Sequence, residues 1–341
     1  NINKTLIKNL NIMKKNIFPL LFLGIIVFNN GCSNEISNLE KVTDTEIKFS
    51  NIPEEYSEIG KQHNLGLEYA FQSLKGEYIN NTRSEENQIF TMDEIKQIGA
   101  HAVMDFTKNN NYFGMNEVFC KELISRCKSE MQPLTRSGIK EYEYSPELQR
   151  LLEMLYATTG QAVNWKATKY KKKIEEIVVQ AKSTLNEVEL IGFYAGASTA
   201  FASMIYWKEN HQKWQIALNC PELLPIYSDE ELNAINLKNK NLIKGKLVTT
   251  RSWWDDVWEN VGETWDEIGD AVEDWWEEDG EDIVETDASS AAAGAIAGAI
   301  AGASAAGVGA LSGAVSGAIA AGCYGSIEQC ITEWLEDSDD Y

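Results

Sequence analysis

The sequence predicts a mainly α-helical protein, with a helical ectodomain followed by an amphipathic acidic helix and a Gly/Ala-rich helical hairpin. Apolar residues recur at helical spacing through most of the chain from Pro53 onward. Runs that alternate apolar and polar residues, as half-buried strands do, are scarce. Near the C-terminus, 40 consecutive residues (288–327) carry no charge and are dominated by alanine and glycine. These observations together define the fold class.

The N-terminus has the pattern of a bacterial lipoprotein signal. Met13 is followed by two lysines, a short apolar run and Gly31-Cys32. We therefore expect a signal peptide over 1–31 whose natural start is Met13, and acylation of Cys32. The chain would then be anchored in the outer membrane, either at the cell surface or released from it. A plain secretion signal with an incidental cysteine is the alternative.

The ectodomain follows a polar tether over 32–52 and extends over 53–222. Thr91 with Glu94 predicts a capping box at one helix start. Ser145 followed by Pro146 predicts another start, because proline is favoured at the first helical position. Thr184 with Glu187 predicts a cap for a long, apolar third helix.

Charge divides the chain at Arg251. No Lys or Arg occurs from Ser252 to Tyr341, although 22 of the chain's 52 acidic residues lie there. The other 30 acids match the 30 basic residues before the boundary, so the whole net charge of -22 belongs to the last 90 residues. We expect a domain boundary at the end of an exposed basic linker, 223–251. The acidic balance argues against nucleic acid as a partner, because phosphates would be repelled.

Beyond the boundary, 252–287 reads as an acidic helix with tryptophans along one face. The tryptophans of this stripe are Trp254, Trp258, Trp265 and Trp275. An acidic surface helix that packs on its own core would show the same spacing. Because tryptophan favours membrane and partner interfaces, the stripe indicates a partner surface without defining the partner.

The final segment, 288–341, combines the uncharged stretch with an acidic tail. Its glycines recur every fourth residue in two rows, one of Gly294, Gly298 and Gly302 and the other of Gly309, Gly313 and Gly317. Small residues at this spacing let helices approach closely, as in membranes. We expect a turn at 307–309 between two helical arms, and association of the arms in a target membrane. A low-complexity linker or a buried hairpin is the alternative.

The six cysteines show no zinc spacing. Cys323 and Cys330 are separated by a stretch that contains Gly325, which permits a turn, so a disulfide is expected between them. Cys120 and Cys127 have the same spacing within a predicted helix and would pair only if that helix were broken. Cys220 is expected to be a small buried residue.

Sequence motifs for catalysis are missing. The three histidines, His63, His101 and His211, have no metal-ligand spacing and belong to no nucleophile motif. His63 reads as a polar helix residue. We therefore expect no enzymatic activity, no metal and no cofactor.

The signal at Cys32, the helical ectodomain, the arginine at the boundary and the Gly/Ala-rich tail together resemble the lipoprotein antimicrobial toxins of Bacteroidales. The resemblance implies a two-part, bacteriocin-like toxin activated by an Arg-specific, clostripain-like protease. Thr-Arg-Ser occurs at Arg83, Arg136 and Arg251, and we expect cleavage between Arg251 and Ser252, where the composition changes. The implied partners are the protease, the target-cell membrane, the other cleavage fragment and an immunity protein.

Two other functions fit the same residues. A non-toxic envelope lipoprotein would use the glycine zipper for assembly or anchoring and would remain uncut. A binding lipoprotein would hold a ligand on the ectodomain, through the aromatic residues Tyr194, Phe201, Tyr206 and Trp207, although these fit a core equally well.

Overall fold

All regular structure in the described residues is helical, which confirms the predicted fold class. The computed structural model describes residues 49–82, 90–110, 144–234, 275–304 and 309–335. The helices of these ranges are α1 (Glu54–Thr82), α2 (Met92–Asn109), α3 (Pro146–Gly160), α4 (Ala167–Thr184), α5 (Glu187–Asn219), α6 (Asp229–Ala234), α7 (Glu281–Ser304) and α8 (Ala310–Leu335). A 3₁₀ turn, Pro221–Leu223, follows α5, and a π-helical turn, Trp276–Gly280, precedes α7.

Two of the three predicted helix starts are confirmed. The Thr91 hydroxyl accepts from the backbone N–H of Glu94, whose carboxylate accepts from the Thr91 backbone, so α2 begins with a capping box. Ser145 caps α3, with Pro146 at the first helical position.

The third predicted start, Thr184 with Glu187, is wrong by two residues. Thr184 is still the last residue of α4, and its hydroxyl donates to the Gln180 carbonyl. Asn186 caps α5 instead, through its side-chain oxygen and the backbone N–H of Glu189. A capping residue needs an extended backbone outside the helix, which Asn186 has and Thr184 lacks.

Helix α5 lies at the centre of the packing. It contacts α1, α3, α4, α7 and α8, and its side chains are buried on nearly every face. Tyr194, Phe201, Tyr206 and Trp207 are all buried in this core. The aromatic residues considered for ligand binding are therefore core residues.

Described helices from both sides of Arg251 belong to one compact unit. A single hydrophobic cluster includes Phe201 and Trp207 of α5 together with Ile296 of α7 and Ile319 of α8. Helix α7 also continues without a break across the expected boundary between 287 and 288. The large difference in charge between the two parts therefore does not separate the cores of the described helices.

The expected disulfide between Cys323 and Cys330 is wrong. Both cysteines are free and buried on the continuous helix α8. Seven residues of α-helix span about 10.5 Å, which is beyond the reach of a disulfide. Gly325 does not turn the chain, because it lies within α8, where a side chain would overlap Ser290 of α7. Cys220 is a small buried residue, as expected.

Candidate functional site

The two glycine rows face each other inside a helical hairpin. Helix α7 ends at Ser304 and α8 begins at Ala310, so the chain reverses where the turn was predicted. Gly309 has a φ of +82°, a left-handed conformation that glycine adopts without strain. The facing pairs are Gly294 with Gly317, Gly298 with Gly313, and Gly302 with Gly309.

Backbone lies directly against backbone along this contact. A methyl group added at Gly298 would overlap the Gly313 carbonyl, and one added at Gly313 would overlap the Gly298 carbonyl. The two predicted small-residue faces therefore pack against each other within one chain.

Helices from the part of the chain before Arg251 cover the hairpin. Gly192 and Gly196 of α5 admit side chains and backbone of α7, with Ile296 against the first and Ala292 against the second. Helix α8 packs on α1 and α2, where Ile327 lies over Gly99. We call α1, α2 and α5 the sheath, because their close approach removes most of the hairpin from water.

Two described helices, α5 and α8, are long and apolar enough to cross a membrane, by length and composition. Both are mostly buried in the fold, and core helices of soluble proteins meet the same criterion. The finding is weak support for association with a membrane. Of the two helices, α8 is an arm of the hairpin and α5 is a sheath helix.

A buried polar cluster joins the hairpin to the sheath at the start of its uncharged stretch. Asp287 of α7 accepts hydrogen bonds from the Ser203 hydroxyl and, at 3.0 Å, from Trp207 Nε1, both on α5. The Ser326 hydroxyl of α8 donates to its other carboxylate oxygen. His63 Nε2 of α1 lies 3.2 Å from Ser326 Oγ and 3.6 Å from Asp287 Oδ2. These five residues, which we call the Asp287 cluster, come from four helices.

Burial dominates the electrostatics of the cluster. All five residues are fully buried. Desolvation raises the pKa of Asp287, while His63 and the hydrogen bonds from Ser203, Ser326 and Trp207 act in the opposite direction. The carboxyl group has therefore exchanged its hydration for donors that the sheath supplies.

The cluster contains a serine, a histidine and an aspartate, but its geometry differs from that of a catalytic triad. Ser326 and Asp287 both approach the same histidine nitrogen, whereas a triad places the acid on the opposite nitrogen. The other nitrogen, Nδ1, lies 3.2 Å from Asn64 Oδ1. The side chains of Ser326, His63 and Asp287 are all buried and inaccessible to a substrate. Their contacts can instead hold α8, α1 and α7 together.

His63 lies on helix α1, as expected, but its burial against the hairpin was not predicted. Sequence reasoning also missed Asp287, Ser203 and Ser326. One signal was available for Asp287, since it is the last charged residue before the 40 uncharged ones. Nothing local marks the serines, because their role depends on which helices meet.

Aromatic residues pack against the sheath at both chain ends of the hairpin, just before α7 and near the end of α8. Trp275 is buried and stacks on His211 of α5, with ring centroids 4.2 Å apart. Burial lowers the pKa of His211 to about 4, so this ring is neutral around pH 7. Trp334 of α8 packs edge-on against Trp207 and donates to Asp279 at 2.8 Å. Trp275, one of the four predicted stripe residues, is thus covered by the sheath.

Several predicted site residues lie outside the described residues. They are Cys32, Cys120, Cys127, Arg251, Ser252, Trp254, Trp258 and Trp265. Within the described ranges, no group of three or more His, Cys, Asp or Glu side chains is arranged to hold a metal ion.

No protein-family model matches this chain, and neither a curated protein nor a solved structure is significantly similar to it.

Proposed function

We propose that this chain is the lipoprotein precursor of an antimicrobial toxin, which stores a membrane-permeabilising hairpin inside a helical sheath. The main support is that the described part of the uncharged stretch of the α7–α8 hairpin, 288–327, is buried under α1, α2 and α5 and is fastened there by the Asp287 cluster. Forty residues without a charge would form a large apolar surface if they were exposed. Burial keeps such a segment soluble until it is needed.

Cleavage after Arg251 would be the activating step. It removes the covalent link between the sheath and the acidic, hairpin-bearing part, 252–341. Once released, the hairpin would insert into a target membrane and associate with other copies. The Arg-specific, clostripain-like protease and an immunity protein belong to this proposal through the resemblance. The outer-membrane anchor at Cys32 belongs to it through the signal pattern at the N-terminus.

The rival function is a non-toxic envelope lipoprotein that assembles through its glycine zipper. Assembly of uncut chains needs glycine faces that are open to a neighbour. In the described hairpin, Gly298 and Gly313 already face each other, and the sheath covers the rest. This arrangement favours a stored hairpin that needs a trigger over a zipper that is open for assembly.

The test compares Arg251→Ala with the wild-type chain in a strain that carries the protease. We expect the wild type to yield a fragment that begins at Ser252 and to kill sensitive cells, and the variant to do neither. Arg83→Ala and Arg136→Ala are matched controls, because both arginines lie in the same Thr-Arg-Ser sequence. Unchanged fragments and unchanged killing by Arg251→Ala would overturn the proposal.

A further inference from the structure

The basic residues of the described ranges are concentrated on one helix. Of the 13 Lys and Arg residues in those ranges, six lie between positions 166 and 182, in α4 and its N-cap. The described part of the acidic segment, from Trp275 onward, has none. Positive charge is therefore concentrated at one place on the described helices, although the chain as a whole has a net charge of -22.

Four of these lysines form one exposed face. Lys166, Lys169, Lys172 and Lys173 are all exposed and lie at the N-cap and in the first two turns of α4, at positions i, i+3, i+6 and i+7. Only Lys173 among these four has an ion-pair partner in the described residues, Glu176 at 2.8 Å. We call the four lysines the lysine face.

A tryptophan lies at the start of the lysine face. Trp165 is half-buried, and Lys169 Nζ lies 3.8 Å from the centre of its ring. Tryptophan and lysine side by side are typical of surfaces at the membrane–water interface, where the ring sits at the headgroups and the ammonium meets phosphate.

The first described residues of the chain also lie on α4. Phe49 packs in the core against Phe201, 5.5 Å between ring centroids, with Lys171 Nζ 5.8 Å above its ring. The Ser50 backbone N–H donates to Glu175 at 2.6 Å. Phe49 is 17 residues after Cys32, so the chain from the expected lipid anchor reaches the folded unit beside this helix.

We propose that the lysine face of α4 binds the anionic phospholipid headgroups of the bilayer in which the chain is anchored. Four ammonium groups attract such a surface, whereas the acidic hairpin-bearing part is repelled by it. Contact at α4 therefore orients the protein, with α4 toward the anchoring membrane. The inference rests on the anchoring in the proposed function and not on toxic action.

The test uses the acylated full-length protein in vesicles of phosphatidylcholine, with or without about one third phosphatidylglycerol, because the attraction requires anionic lipid. Lysine reactivity toward an amine-acylating reagent is followed by mass spectrometry. In the anionic vesicles we expect the lysine face to be labelled about fivefold or more slowly than in the neutral ones. Lys108 of α2 and Lys182 at the far end of α4, both exposed, should react equally in both.

High salt should abolish the protection, because it screens the attraction between charges at an exposed surface. Inorganic phosphate added to neutral vesicles should give none, which separates a lipid surface from a free phosphate. A triple variant, Lys166→Gln/Lys169→Gln/Lys172→Gln, should lose the protection of the remaining Lys173. Its control, Lys96→Gln/Lys108→Gln/Lys182→Gln, changes the net charge equally and should keep it.

Equal labelling of the lysine face in neutral and anionic vesicles would overturn the inference, whatever the toxin assay shows. Protection that persists in the triple glutamine variant would also overturn it. Killing by the cleaved protein is measured separately, so failure of the toxin proposal would not change the interpretation of the lysine-labelling result.

Discussion

At the scale of single residues, Asp287 is a fully buried acid to which the sheath supplies hydrogen-bond donors. Trp207 Nε1 can only donate, so it needs the carboxylate oxygen at 3.0 Å as an acceptor. The hydroxyl groups of Ser203 and Ser326 can rotate toward other acceptors. Loss of Asp287 would therefore cost most at the Trp207 indole, whose N–H would lose its acceptor.

We expect Asp287→Leu to lower the free energy of unfolding by about 1–3 kcal/mol, because it leaves the buried Trp207 donor unsatisfied. Asp287→Asn keeps an amide oxygen in its place and should cost less. Urea denaturation followed by circular dichroism measures both. Asp282→Leu and Asp282→Asn are controls on the same helix, where Asp282 is exposed. Equal midpoints for Asp287→Leu and Asp282→Leu would contradict a fastening role.

The raised pKa of Asp287 adds a pH dependence with a definite sign. A carboxyl group whose pKa is higher in the folded state favours folding below its ordinary value of 3.8. That contribution is lost as the pH rises through the folded-state pKa. The stability of the wild type relative to Asp287→Asn should therefore fall as the pH rises from 3.8, since asparagine does not titrate. A constant difference between the two proteins over that interval would contradict the raised pKa.

At the scale of helices, glycine serves as the contact surface between elements. Gly298 and Gly313 let two backbones touch, and Gly192 and Gly99 admit isoleucines from the hairpin. Glycine within a helix costs about 1 kcal/mol relative to alanine. Close packing of backbone and side chains must offset that cost at each such position.

The same substitution should consequently have opposite effects at two glycines. Gly298→Ala places a methyl group against the Gly313 carbonyl, and we expect a loss of about 1–3 kcal/mol from overpacking. Gly76→Ala in α1 meets nothing within 4 Å and should gain up to about 1 kcal/mol from helix propensity. Thermal unfolding of the two variants distinguishes the effects. A stabilised Gly298→Ala protein would show that the hairpin arms are not in contact in solution.

At the scale of the whole molecule, the sheath and the hairpin share one core on both sides of Arg251. Cutting a single peptide bond at that position removes none of the described contacts between α5 and α7, or between α8 and the helices α1 and α2. The Asp287 cluster likewise combines His63, Ser203 and Trp207 with Asp287 and Ser326 from across the boundary.

We therefore expect the two products of cleavage at Arg251 to remain together as a non-covalent complex until a membrane competes for the hairpin. Size-exclusion chromatography of the cut protein should give one peak that contains both fragments, which separate only in denaturant. A specific protease site introduced at 250–252 provides the cut independently of the proposed Arg-specific protease. Separate elution without denaturant would show that cleavage alone releases the hairpin.

Local patterns were enough to predict helices at the right places. Thr91 and Ser145 cap helices because their hydroxyls satisfy backbone groups within the same turn. The reversal between Ser304 and Ala310 falls where the glycines allow it. Thr184 and the Cys323–Cys330 pair were misjudged, because both depended on exactly where a helix continues, and local spacing leaves this open by a few residues.

By itself, the sequence determined the helical class, the hairpin and its small-residue faces, since each follows from side chains that are neighbours along the chain. Only the tertiary structure decided what those faces touch. The glycine rows meet each other, and His63 meets Asp287 over a separation of 224 positions. Such contacts depend on which helices come together, and the free energy of burying apolar surface sets that choice for the chain as a whole.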